Sequence, residues 1–416
     1  MRVYLLTLIV PAFLGAAFGE TSLPAPTGAC PVGRQMLLWN DPTRPEDVGP
    51  TAGQPREIAA YVYYPAVASG SHVEYYPGLA GLENAPETRI LRLQFGGVWN
   101  AVTSGTIRTN AYAAPPMPPG RKKFPVLIFS PGGQAPVLAY QLQLEELASH
   151  GYVVFALEHG TDSALLIRPD RTMIPYVSRR PPDPLPTVGY LEAVRDEAIR
   201  RTGDIVFSVN QVFLLAKQPG SVLRNRLDLS RIGVFGHSAG GQAAIRTCQT
   251  DARVRACLNQ DGEMFGIPVG STEPIPTLLP GKPTLAPVAV IYVAEPGIPD
   301  AQLAAVKVTR KQYEDWRAAK NRALRSFLQQ NSRESDLITI TAPGYVHATF
   351  MDIRLLGANP NPEAALNHRT GTDITRAFFD AHLRWGEQKN WSRFAIAPGP
   401  GIAVEKLGIG PAGSAD

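Results

Sequence analysis

The sequence predicts an α/β fold, with a mostly parallel central sheet and helices on both of its faces. Three observations carry that expectation. Short continuous apolar runs recur along the chain, helical patterns alternate with them, and a serine framed by glycines stands between one run and the next helical pattern. Continuous runs mark strands covered on both faces, whereas a half-exposed strand alternates apolar and polar residues.

The first run is 56–64 (REIAAYVYY), rich in β-formers, and 126–129, 153–157, 232–235, 256–258, 288–293 and 337–341 follow it. Helical patterns are expected at 137–150, 191–217, 240–249, 310–330 and 373–385. In the second of these, Ile205, Val209, Val212 and Ala216 fall on one helical face that would pack on the sheet. In such folds ligands bind at the loops after the carboxyl ends of the strands. The Pro- and Arg-rich segment 167–188 has no core-forming pattern, so it is expected as a long surface loop near the site.

At 416 residues the chain is expected to form one large domain, 56–387, preceded by an extended arm, 20–55, and followed by a tail, 388–416. Only 18% of residues are charged while prolines number 39, which suits a compact, loop-rich extracellular protein. A net charge of +4 on this length, without a Lys/Arg block, argues against a nucleic-acid partner. Residues 1–19 read as a secretory signal peptide: Arg2, an apolar run, then small residues up to Gly19. The run is interrupted by Pro11 and is shorter than the roughly 20 residues a spanning helix needs. Cys30, Cys248 and Cys257 allow one bridge, between Cys248 and Cys257 or with Cys30 as the competitor, and Asn390-Trp391-Ser392 is a glycosylation acceptor pattern.

The chemistry centres on Gly236-His237-Ser238-Ala239-Gly240, directly after the run 232–235 and before a helical pattern. A sharp strand-to-helix turn strains the serine backbone, and the flanking glycines let neighbouring elements approach. Such a turn lifts the hydroxyl above the sheet at a helix N-terminus, as in the α/β-hydrolase fold. A serine needs a histidine to take its proton and a carboxylate to hold that histidine's tautomer. By chain order the histidine candidates are His347, His368 and His382. His347, on a loop after the last strand, is best placed, and His237 is expected to support the turn. Two acids end strands: Asp261 after 256–260 and Glu295 after 288–293, with Glu263 a lesser rival.

Several ordered segments resemble the platelet-activating-factor acetylhydrolases of the plasma and intracellular type II group. They are Phe129-Ser130-Pro131-Gly132-Gly133, the stretch 147–154 with Glu158-His159, the elbow 236–241, Asp261, and Val346-His347-Ala348-Thr349-Phe350, with Tyr63-Tyr64-Pro65 a weaker match. The resemblance implies a serine lipase of the α/β-hydrolase fold in which Ser238, Asp261 and His347 are catalytic, favouring Asp261 over Glu295. It also implies an oxyanion hole made by the backbone N–H groups of Gly133 and Ala239. The chain departs from the family at Pro131, where His usually stands, at Ala239, where a larger residue is common, and in 167–188 and 263–286, the expected pocket walls.

The resulting expectation is a secreted esterase that hydrolyses the short acyl ester of platelet-activating-factor-like phospholipids, with neither metal nor cofactor. The expected partner is a small-molecule or lipid ester substrate, and transient contact with a lipid surface stays open. The alternatives are a carboxylesterase or cutinase-like polyester hydrolase with the same three residues, and a non-catalytic ligand-binding relative.

Overall fold

Among the described residues ten strands of five or more residues form the frame, and in chain order they are β1 Val32–Pro45, β2 Pro55–Pro65, β3 Ile107–Ala113, β4 Phe124–Ser130, β5 Val153–Glu158, β6 Leu227–His237, β7 Val254–Gln260, β8 Val288–Val293, β9 Ser335–Ile340 and β10 Ile402–Lys406. Across the sheet the order is β3-β1-β2-β5-β4-β6-β7-β8-β9-β10. Every pairing from β5 to β9 is parallel. Antiparallel pairs flank that centre, β1 with β2, β2 with β5, and β9 with β10. The computed structural model describes residues 21–182, 186–294, 297–331, 333–356, 361–384 and 401–408. The expected leader, the glycosylation pattern at 390–392 and Glu295 therefore lie outside the described residues.

The long helices are α1 Gln141–Ser149, α2 Val188–Leu215, α3 Ala239–Thr250, α4 Arg310–Gln330 and α5 Pro362–Leu383. Strand geometry sends successive side chains to opposite faces, and here both faces are covered. Leu127 and Phe129 of β4 join Val154, Phe235 and Leu258 under α1 and α5, whose Leu144, Leu147, Phe378 and Phe379 complete that layer. Val126 and Ile128, one residue out of phase, join Phe155, Val234 and Val290 under α2, α3 and α4, which contribute Ile205, Val209, Ala243 and Leu328. Burial on both sides explains the unbroken apolar runs, and each such side chain contributes about 1.5–3 kcal/mol. This is the α/β-hydrolase architecture.

Three expectations about the chain's edges change. The 20–55 segment does not precede order as a bare arm, because Val32–Pro45 is a 14-residue strand. It pairs with β2 from Val32↔Pro65 onward, Trp39 stacks on Phe155 at 6.3 Å, and its inner and outer residues mix polar with apolar. Within the expected tail, Ile402–Lys406 closes the sheet edge, held also by an Arg325–Glu405 ion pair. α5 begins eleven residues earlier than expected, at Pro362, where the Asn361 side chain caps it by accepting from Glu363 N–H. Of the two disulfide options, Cys248 and Cys257 are bridged, joining the end of α3 to β7, and Cys30 is a free thiol.

Candidate active site

β6 ends at His237 and α3 starts at Ala239, so Ser238 turns the chain by itself. Its backbone sits at φ 54° and ψ −119°, a conformation that costs an L-residue about 1–3 kcal/mol. Two backbone hydrogen bonds hold it there: Ser238 N–H donates to Gln260 O (2.9 Å) and Gln242 N–H to Ser238 O (3.2 Å). Glycine is required at position 240, where a Cβ would stand 2.0 Å from the Ser130 carbonyl at the end of β4.

Asp261 follows β7 at φ 59°, and its N–H donates to Ile291 O at 2.8 Å. Its carboxylate is nearly inaccessible and both oxygens are engaged: Oδ1 accepts from Val293 N–H at 3.0 Å and Oδ2 bonds His347 Nδ1 at 2.6 Å. One oxygen is thus fixed by the backbone of β8 while the other fixes the imidazole. His347 opens the short turn His347–Phe350 after β9, and Val346 N–H donates to Thr349 Oγ1 across that turn. A ring whose Nδ1 donates to a carboxylate is, when neutral, unprotonated at Nε2.

His237 ties this loop to the opposite side of the site. Its Nε2 lies 2.9 Å from the His347 carbonyl, which only accepts, so Nε2 carries the hydrogen. In the neutral ring Nδ1 then accepts from the Tyr140 hydroxyl at 2.8 Å, and that oxygen accepts from Gly132 N–H at 3.1 Å. Gly132 sits close against both groups, since a Cβ there would come within 3.2 Å of both His237 Nδ1 and the Tyr140 hydroxyl. The next residue, Gly133, abuts the start of α3: a Cβ there would lie 3.7 Å from that of Ala239.

A cavity of about 580 Å³ opens over these groups and is lined by Gly133, Ser238, Ala239 and His347 together. Its walls draw on both segments expected to form them, Pro181 and Pro182 from the first and Ile267 from the second, and also on Tyr190 and Leu191 of α2 and Trp316 of α4. At the start of 167–188, Leu165–Ile167 and Met173–Pro175 pair as a small hairpin, and further on Ser178, Arg180, Pro181 and Pro182 line the cavity.

The rival residues that the structure describes have other partners. Glu263 lines the cavity but pairs with Lys320. His368 is buried in α5, 3.5 Å from Asp352, and His382 packs on the Phe378 ring at 4.6 Å. Sequence reasoning missed the bonding of Tyr140, the cation Arg180 on the cavity wall, and a buried array in which Ser130 Oγ meets His159 Nε2 and His159 Nδ1 meets Asp204, each at 2.8 Å. Ser130 and His159 both lie in the resembling segments, which is a signal that they matter but not that they meet. All three side chains of that array are buried, and burial holds the imidazole down at about 4, so it stays neutral under the start of the Pro131–Gly133 loop.

Comparison with known proteins adds relatives to this geometry. A protein named "Probable 1-alkyl-2-acetylglycerophosphocholine esterase" from Arthroderma benhamiae is 27% identical over 272 residues, covering 62% of this chain and 63% of that protein. The platelet-activating factor acetylhydrolase of Cavia porcellus is 28% identical over 293 residues, 61% of this chain and 58% of that one. The matches thus span under two thirds of the length of these curated relatives. A solved ferulic acid esterase from Streptomyces cinnamoneus superposes with a TM-score of 0.62 at 24% identity, over 89% of this chain and 95% of that chain, a likeness of fold. Residues 16–169 and 201–360 match the family described as platelet-activating factor acetylhydrolase, isoform II, and the chain belongs to that family.

Proposed function

We propose that the chain is a secreted serine esterase that removes the short acyl group of platelet-activating-factor-like phospholipids through an acyl-serine intermediate. The observation that carries the reading is the 2.6 Å Asp261–His347 bond together with the strained Ser238, with Ser238 and His347 lining one cavity. In this mechanism His347 Nε2 takes the Ser238 proton as the hydroxyl oxygen attacks the ester carbonyl. Asp261 holds the ring in the required tautomer and stabilises the imidazolium. The Gly133 and Ala239 N–H groups receive the developing oxyanion, and His347 returns its proton to the leaving alcohol. Water then repeats the sequence on the acyl-serine and frees Ser238.

Family membership and the names of the relatives support an ester substrate, and phospholipid preference is the finer part of the proposal. A fluorophosphonate probe tests the chemistry: wild-type protein labels and Ser238→Ala does not. Absence of labelling would point to a ligand-binding relative. Release of acetate from the choline phospholipid tests the substrate. Brisk turnover of simple esters without it would turn the assignment to the carboxylesterase or polyester-hydrolase alternative, which the Pro131 departure in the oxyanion loop favours.

A further inference from the structure

Arg180 projects from the wall segment of the cavity, with its side chain 18% exposed. One guanidinium nitrogen, Nη2, pairs with Glu197, and Nη1 donates to the Tyr190 hydroxyl at 3.3 Å while the group stacks over that ring at 5.7 Å. Nε is buried without a hydrogen-bond partner. Glu197 does not neutralise Arg180 alone. The fully buried Arg201 shares the same carboxylate at 3.0 Å, and its other bonds go to the carbonyls of Pro131 and Asp162. The Glu197 carboxylate is divided between two guanidiniums, so it does not serve Arg180 exclusively. Across the cavity stands Lys320, paired with Glu263, so the described lining carries two cations against one acid.

Position adds chemistry to charge. Arg180 Nη2 lies 3.2 Å from where a Cβ on Gly133 would stand, which places the cation beside the proposed oxyanion loop. An anionic group within a few bonds of the scissile carbonyl would reach it. The family match breaks between residues 169 and 201, so Arg180 and Glu197 both fall in a stretch outside the matched pattern.

We propose that Arg180 is a specificity-determining residue that receives an anionic oxygen group of the ester substrate, phosphate or carboxylate, beside the reacting carbonyl. The planar fork of an arginine suits either group, and its partly enclosed setting strengthens the contact. This inference rests on the proposed esterase reading and names a property of the same cavity.

The test uses full-length protein and two matched ester pairs. One pair is 1-alkyl-2-acetylglycerophosphocholine against 1-alkyl-2-acetylglycerol, and the other is mono-4-nitrophenyl glutarate against 4-nitrophenyl butyrate. Arg180→Gln should lower the anionic-to-neutral ratio of kcat/KM by roughly tenfold or more in one pair, chiefly through KM, as expected for a charged hydrogen bond. Arg180→Lys should recover part of that ratio. A fall in the lipid pair assigns the phosphate, and a fall in the glutarate pair assigns a carboxylate on the acyl chain. In the single variant Glu197 keeps its bond to Arg201, and the double variant Arg180→Gln/Glu197→Gln, which removes that acid as well, should show the same change in ratio if the effect is recognition rather than misfolding. Ratios unchanged in both pairs, in single and double variants alike, overturn the proposal. Fluorophosphonate labelling with unchanged ratios sinks the role of Arg180 alone, whereas no labelling of wild type sinks the esterase reading beneath it.

Discussion

The Tyr140 hydroxyl and His237 Nδ1 meet at 2.8 Å, and that one bond couples the loop before Gly133 to the loop that carries His347. Neither side chain needs to touch the reacting atoms to matter. Tyr140→Phe strands Gly132 N–H and His237 Nδ1, at about 1–3 kcal/mol of stability for each group left unpaired and buried. Direct loss of an oxyanion donor costs about 100- to 1,000-fold in rate, so a positioning residue one bond behind it should cost about tenfold in kcat, with KM little changed. Steady-state kinetics with a melting curve check this: a rise in KM at constant kcat would give Tyr140 a role in substrate binding instead.

Asp261 and Glu295 both follow strands, and they make opposite predictions. Asp261→Asn keeps the shape but presents an amide to His347, which favours the wrong tautomer and should lower kcat by roughly 10³- to 10⁴-fold. Glu295→Gln should leave kcat within about threefold, because Asp261 already holds His347 Nδ1. Equal losses in both variants, measured on one neutral ester, would show that Asp261 has been given the wrong role.

What could be read in advance follows from where each constraint comes from. Strands β4 to β9 are packed on both faces, so each carries a short continuous apolar run and their positions show directly. β1 lies on the antiparallel flank, and its Arg34, Gln35, Asn40 and Asp41 hide a strand inside a polar-looking arm. The serine turn was legible because its strain is local, carried by Gly236, Ser238 and Gly240. The pairing of Ser130, His159 and Asp204 was not. Those residues lie 29 and 45 positions apart, and only the crossing of β4, the loop after β5 and α2 brings them together. Arg180 was hidden for the same reason: its charge was plain, but its neighbours Glu197 and Gly133 belong to other elements.

The Cys248–Cys257 bridge closes a short loop between α3 and β7, with a sequence separation of 9. Constraint of the unfolded chain by a loop of that size contributes about 2–3 kcal/mol. The double variant Cys248→Ala/Cys257→Ala should therefore unfold at lower urea, while Cys30→Ser should shift the midpoint little because that thiol is unbridged. Equal midpoints for wild type and the double variant would remove the bridge from the account of stability.

Adjacent residues Glu158 and His159 give stability opposite dependences on pH. Burial, helped by the Arg201 charge, lowers the His159 imidazole from 6.5 to about 4. The unfolded chain then takes up a proton that the folded one refuses, so stability is lost as pH falls from about 6.5 towards 4, by roughly 3 kcal/mol in total. Burial raises Glu158 from 4.5 to about 8, which reverses the sign: the folded state holds the proton, and stability is lost as pH rises through that window. His159→Gln should flatten the acid limb of a urea-unfolding series taken between about pH 4 and pH 9. Glu158→Gln, which can still accept from Val137 N–H, should steepen the acid limb and gain relative stability on the alkaline side. Parallel pH profiles for both variants and the wild type would mean that neither group titrates differently on folding, and the buried Ser130–His159–Asp204 array would then have to be protonated in some other way.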